Sequence, residues 1–408
     1  MVISKTRFNY TKASSISILW RVGGPKYRIG KYMQFLIKRT TLTHIRESRN
    51  MRLEHVSDSS GISIEELTAW ESTDSQIEAT ALKKLGKVYG KNWIAFLAED
   101  ASKAAPVVHD TRIGQNSDKL DADIILALEE IKTNLQIAND YGLGPELDLP
   151  GRKDVQPEEL GDHFREFFDI SFAAQKETTK ELAPFKFWTD VLYSHGILVF
   201  QKSLKRKGVR AFSIQEGSRA AITLNTEDSQ KARTFSLFHE LAHIYRNDTG
   251  LCDFYEKRNK RFSKEEAFCN AFAAAFLMPL NDIYSDKNYQ KLVKNNIDSS
   301  LVKAIAGTFQ VSELAVYRRL VTTELLKLDD YLKIQASIAL RFAAAPKEEK
   351  RGGGGYYTTL FSHTGAAFIS SIMDAYGAGK IEHRQIGSIL GINPKLIPEV
   401  RERLIRQQ

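Results

Sequence analysis

The chain has 408 residues and a mass of 46.2 kDa, with 42% apolar and 26% charged side chains, which allows two or three domains with real cores and excludes global disorder. Its two cysteines, Cys252 and Cys269, cannot form a disulfide framework for a chain of this size and lack the C-x-x-C pairing of a zinc ribbon. No apolar run reaches membrane-spanning length and no apolar leader core is present, so the expectation is a cytoplasmic protein without a membrane partner.

The net charge of +8 is unevenly distributed. No Asp or Glu occurs up to Arg46, whereas Lys5, Arg7, Lys12, Arg21, Lys26, Arg28, Lys31, Lys38, Arg39 and Arg46 all do. Residues 1–36 therefore read as a basic arm suited to a polyanion such as DNA; a transit peptide and a solvated tail have the same composition. From 37 to 100 the chain is helix-rich: TLTHIRESRN, LEHVSDSS, a turn at Gly61-Ile62, SIEELTAWE and ALKKLGKVYGKNWIAFL. The short turn between the second and third helices, the Leu67/Trp70 spacing and the closing Trp-Glu pair resemble the XRE/Cro-like helix-turn-helix domain. In such a domain the third helix would present Ser63, Ile64, Glu65 and Glu66 to the major groove, and two carboxylates facing phosphates suit DNA poorly. DNA contact through the arm and protein contact through this domain are both open.

Residues 101–160, rich in Pro and Gly, read as a linker around one amphipathic helix, DADIILALEEIKTNLQIAND. From 161 to 335 a different pattern follows: a long helix, the β-rich segments GILVFQ, RAFSIQ and AAITLNT, then the helical run SQKARTFSLFHELAHIYRN. The fold class expected is α+β and predominantly helical, with a small antiparallel or mixed sheet, preceded by an all-α helix-turn-helix domain.

HELAH carries the chemistry. His239 and His243 are one helical turn apart on one face, where both imidazoles reach one cation, and Glu240 lies about 100° around the axis, placed to take a proton from water. A catalytic zinc site needs a third protein ligand and an open position. FSKEEAFCNAFAAAFLMP offers one: Glu266 and Asn270 are again i and i+4, so Glu266 would ligate while Asn270 holds a ligand histidine. Ser263-x-x-Glu266 also fits a capping box, in which Glu266 would only reach back to its own helix start. Glu265 and Glu256 are weaker candidates, lacking a polar partner one turn later.

E-x-x-C-N-x-F-A-A-A-F-L-M-P after HELAH resembles the ImmA/IrrE family of metallopeptidases, with further agreement in GILVFQ, RAFSI, ITLN, ARTF and VSELAVYRRL, from about Leu182 to Leu390. The resemblance implies a zincin-like peptidase domain over 161–335 and a gluzincin-like Zn2+ site with His239, His243 and Glu266 as ligands and Glu240 as general base and acid. It also implies a protein substrate, often a transcriptional repressor, and a regulatory, stress or phage-defence role. For an oxyanion donor His363, His383, Tyr245 and Tyr317 are candidates. EKRNKR at 256–261 would attract an acidic substrate or is a solvated loop; AIAGTFQVSELAVYRRL reads as a structural helix pair. RGGGGYY at 351–357 lacks the spacing of a phosphate loop. It falls within a C-terminal helical region, 336–408, with no legible chemistry. The competing class is a non-proteolytic DNA- or protein-binding regulator with a structural or sensory zinc site. Oligomeric state is not legible.

Overall fold

The computed structural model describes residues 34–49, 51–91, 93–97, 122–151, 154–181, 184–204, 209–247, 260–294, 297–344 and 355–407. Most of the basic arm, residues 101–121, Cys252, Glu256 and most of EKRNKR and of the glycine run lie outside them. Contacts divide the chain into two units, residues 1–46 with 52–106 and residues 47–51 with 107–408.

In the first unit, β1 (Gln34–Ile37) pairs antiparallel with β2 (Ser75–Glu78) around the helices α1 (Arg39–Ser48), α2 (Leu53–Ser60), α3 (Ile64–Ser72) and α4 (Ala79–Tyr89). Gly61, in the left-handed region at φ 67°, ends α2, and Ser63 caps α3 by accepting from the Glu66 amide at 3.2 Å. Such a turn favours glycine, which adopts the left-handed conformation without strain, and a cap with a short polar side chain. Leu42, Ile45, Val56, Leu67, Ile77, Leu82 and Leu85 are buried. Arg46 forks onto Glu71 at 2.7 and 2.8 Å, tying α1 to α3. The β-ribbon is an addition to the all-helical expectation, and it takes in the last residues of the arm. Its strands are four residues long, too short to declare an alternation.

The second unit is built on the sheet β3 (Ile197–Lys202), β4 (Ala211–Glu216) and β5 (Arg219–Asn225), in the order β3-β5-β4. β5 runs parallel to β3 with Ile197 opposite Ala220, and antiparallel to β4 with Phe212 opposite Thr223. The sheet is therefore mixed, and the fold is α+β with helices in the majority. All seven residues of β5 are buried because both faces of the sheet are covered. Side chains alternate accordingly: Ile197, Ala211, Ala220, Ile222 and Leu224 join one core, while Leu198, Phe200, Phe212 and Ala221 join another.

The second core reveals a difference from the sequence reading. The helix expected in a linker, α5 (Ala122–Tyr141), buries Ile124, Ile131, Leu135 and Ala138 in it. Beside it pack residues of the C-terminal helices: Phe361, Ile369, Ile386, Val400 and Leu404. An amphipathic pattern predicts that a face will be buried without naming the surface that buries it. The C-terminal region and α5 thus belong to the same compact unit as the sheet.

The first core holds α6 (Pro157–Phe167), α7 (Phe172–Glu181), α8 (Pro184–Ser194), α9 (Gln230–Arg246) and α10 (Lys260–Leu277), followed by α11 (Leu280–Ser285), α12 (Lys287–Lys294), α13 (Ser299–Thr308), α14 (Glu313–Thr322) and α15 (Leu328–Ala344). The helices α16 (Tyr356–Thr364), α17 (Ala366–Gly377), α18 (His383–Ile389) and α19 (Ile397–Gln407) close the chain. α6 lies close on α10: a Cβ on Gly161 would sit 3.1 Å from both Ala275 Cβ and the Phe276 amide. Aromatic rings lock α9 to α10 and α8, with Phe238 stacked on Phe276 at 4.2 Å and edge-on to Trp188 at 4.9 Å. Among the described residues no helix is long and apolar enough to cross a membrane.

Candidate active site

α9 opens with Ser229 accepting from the Ala232 amide and closes on Asn247 in the left-handed conformation. Between these caps the helix passes under the sheet, and everything from Ser236 to Tyr245 is buried. α10 crosses it. The far end of α10 is held by side chains: Arg165 donates to the Phe276 carbonyl at 2.8 Å and to Gln175 Oε1 at 2.9 Å, and Gln175 donates to the Leu277 carbonyl at 3.4 Å. Two carbonyls that the helix itself leaves unbonded are satisfied in this way, beside a cation that suits the negative end of the dipole. Burial lowers the pKa of Arg165 to about 10.

At the crossing, His239 Nε2 stands 3.1 Å from Glu266 Oε2, His243 Nε2 stands 3.3 Å from Glu266 Oε1, and the two Nε2 atoms are 3.2 Å apart. These three residues form a group able to hold a metal ion, and all are buried. Glu266 is only 3% exposed. Burial by itself pushes its carboxyl up, but the hydrogen bonds and charges of the two imidazoles together pull it further down, to about 2.

The donor set fits a divalent ion. Two imidazole nitrogens and a carboxylate are ligands that zinc accepts, and a tetrahedral ion with bonds of ~2.0–2.1 Å separates its ligand atoms by roughly 3.3 Å. The observed separations of 3.1–3.3 Å match that edge. Glu266 Oε1, buried, has no well-formed hydrogen bond of its own in the protein, which is the state of an atom with room for an ion. Asn270 Oδ1 accepts from His239 Nδ1 at 3.1 Å, a bond that fixes the ring so that Nε2 faces the cluster.

The structure thus brings together His239, His243, Glu266 and Asn270. Glu240, 1% exposed, points from the same helix into the adjoining cleft, where the Ser213 hydroxyl of β4 donates to its Oε2 at 2.8 Å. The capping alternative for Glu266 fails, because α10 begins at Lys260 and already runs helically through Ser263. Glu265, on the same helix, is outside the cluster.

A cleft of about 330 Å³ opens over the cluster, lined by His239, Glu240, Glu266 and Asn270 on one side and by Ala315, Arg318 and Tyr331 on another. The four candidate oxyanion donors are not among the residues that line it. Tyr245 donates to the Gly151 carbonyl at 3.0 Å, Tyr317 is buried in the first core, His363 sits on α16, and His383 meets the Tyr376 hydroxyl at 3.3 Å. Arg318, Tyr331 and Ser213 were not singled out in the sequence. Ser213 had one faint signal, an inward position in the alternating strand RAFSIQ; Arg318 and Tyr331, on α14 and α15, had none.

A small mixed sheet, two crossed helices and a buried His-His-Glu donor set form the arrangement expected of a metallopeptidase. Residues 193–321 match the family model of the IrrE N-terminal-like domain, Peptidase_M78. The match spans just under a third of the chain and contains all five site residues named above. It supports the ImmA/IrrE resemblance and a metallopeptidase assignment for this segment. No curated protein matches the chain.

Loss of the Asn270 acceptor frees the His239 ring, so Asn270→Ala should weaken zinc binding by about 10–100-fold, measured by competition with a chromophoric chelator. An unchanged affinity would show that packing alone orients the ring.

Proposed function

We propose that the chain is a zinc-dependent endopeptidase that cuts a specific protein substrate as a regulatory step. The observation that carries this reading is the position of Glu240, a buried carboxylate braced by Ser213 beside three buried ligand-type side chains at the floor of an open cleft. His239, His243 and Glu266 would hold the ion. When bound, zinc supplies Lewis acidity, which acidifies water and polarises a carbonyl.

The protein's own groups do the rest. Glu240 accepts the proton of the attacking water and returns it to the leaving amine, so it must keep one orientation through both transfers. The Ser213 hydroxyl supplies that constraint by holding Oε2. β4 is an edge strand of its sheet, and Ala211 at its start lines the cleft. An extended peptide aligned along that edge gains main-chain hydrogen bonds and brings its carbonyl over the cluster. By the family resemblance the substrate is a protein, often a transcriptional repressor, and cleavage at one or few sites would make such a peptidase harmless to the rest of the cell.

Glu240→Gln keeps shape and the ion but removes the proton acceptor. Zinc content should stay at the wild-type level while cleavage of the partner protein, recovered by co-purification and mapped at its cut ends, falls by at least about a hundredfold. Full biological activity in that variant would favour a binding protein whose zinc senses or stabilises.

For the first unit the reading is a helix-turn-helix module that docks protein through α3, with any DNA contact left to the basic arm. The first turn of α3 carries the exposed carboxylates Glu65 and Glu66, and the nearby cation Arg46 is already engaged by Glu71. Phosphate contacts by the arm would give binding to duplex DNA a steep salt dependence, which deletion of residues 1–36 should flatten. Equal slopes for the full and shortened chains would exclude the arm as the DNA contact.

A further inference from the structure

We propose that Arg318 makes the peptidase selective for substrates with an acidic side chain close to the scissile bond. The inference deepens the endopeptidase reading of the same cleft and rests on it.

The electrostatic balance of the cleft is the first support. Its two carboxylates are committed, Glu240 to the Ser213 hydroxyl and Glu266 to the imidazoles. With a divalent ion on the cluster, Glu266 and Glu240 would together cancel its charge, and Arg318, which lines the cleft, would leave it cationic. A cationic, partly desolvated cleft favours an anionic ligand.

The second support is the surroundings of Arg318 itself. Its guanidinium carbon stands 5.9 Å from the centre of the Tyr331 ring, and Nη2 reaches the Ala267 carbonyl only at 3.5 Å. Among the described residues no carboxylate pairs with it. Its neighbours on the same core are differently placed: Arg319 is fully buried and ion-paired with Glu158, and Arg165 is spent on Gln175 and a carbonyl. Burial lowers the Arg318 pKa, the mark of a charge that has lost water without gaining a full counterion. A carboxylate arriving on the planar fork restores what was lost, through two parallel charge-assisted bonds that an ammonium cannot reproduce.

Position gives the third. Arg318 lines the same cleft as Glu240 and Glu266, and its fork reaches the carbonyl of Ala267, the residue after Glu266, so a side chain close to the cut bond would come within its range. An acid far along the substrate would not reach it.

The test is binding, which needs no turnover and no knowledge of the partner. Short peptide hydroxamates anchor on zinc through the hydroxamate group; a set is made with glutamate or glutamine at each of the two residues nearest that group. On the zinc-loaded full chain, calorimetry should show one glutamate compound binding about tenfold more tightly than its glutamine isostere. Arg318→Gln should erase that difference while leaving the glutamine compound's affinity unchanged, and Arg318→Lys should keep part of it. Equal affinities for glutamate and glutamine at both positions overturn the proposal. So does an equal loss for both compounds in Arg318→Gln, which would make Arg318 a ligand of the hydroxamate oxygen rather than of the side chain. If no hydroxamate binds while zinc remains in place, the peptidase reading itself fails and this inference falls with it, an outcome distinct from the other two.

Discussion

A carboxylate held between two imidazoles at the buried crossing of α9 and α10 is the constraint that the surrounding structure serves. Glu266 is 3% exposed, and an unpaired carboxylate there would cost several kcal/mol of lost hydration. The two histidines lower that cost by bonding to the charged form, which is why its carboxyl lies near 2. The same proximity leaves the cluster unsatisfied in another sense: the two Nε2 atoms stand 3.2 Å apart, and Glu266 Oε1 keeps no well-formed hydrogen bond. A divalent cation resolves both problems with one particle.

The scaffold is arranged to keep that crossing tight. A glycine at 161 lets α6 approach the backbone of α10, Arg165 and Gln175 fasten its last turn, and stacked rings at Phe238 and Phe276 join it to α9. On the other side the sheet presents Ser213 to Glu240 from a strand whose alternate residues, Phe212 and Ile214, face the second core. α5 and the C-terminal helices share that second core and so pack against the strand that braces Glu240.

Much of this was legible in the residues, and the reasons are local. Two histidines four apart on an apolar helix share a face whatever their tertiary setting, and Ser229 and Asn247 mark the ends of that helix in ordinary capping positions. Glu266 was legible only as a choice, since Ser263-x-x-Glu266 satisfies the capping pattern too; the start of α10 at Lys260 removes the cap. What escaped the sequence depends on contacts between distant segments. Nothing in RAFSIQ says which helix Ser213 will meet, and nothing in VYRRL separates Arg318, in the cleft, from Arg319, in the core. His363, His383, Tyr245 and Tyr317 have the chemistry of an oxyanion donor, but chemical type does not determine direction.

X-ray absorption at the zinc edge of the purified full-length chain tests the central claim most directly. One zinc per chain with four light-atom neighbours at ~2.0–2.1 Å, two of them showing the outer-shell scattering of imidazole rings, is the result the account predicts. A chain that takes up no zinc, or a spectrum with sulfur at ~2.3 Å, which only a cysteine could supply at this distance, would contradict it.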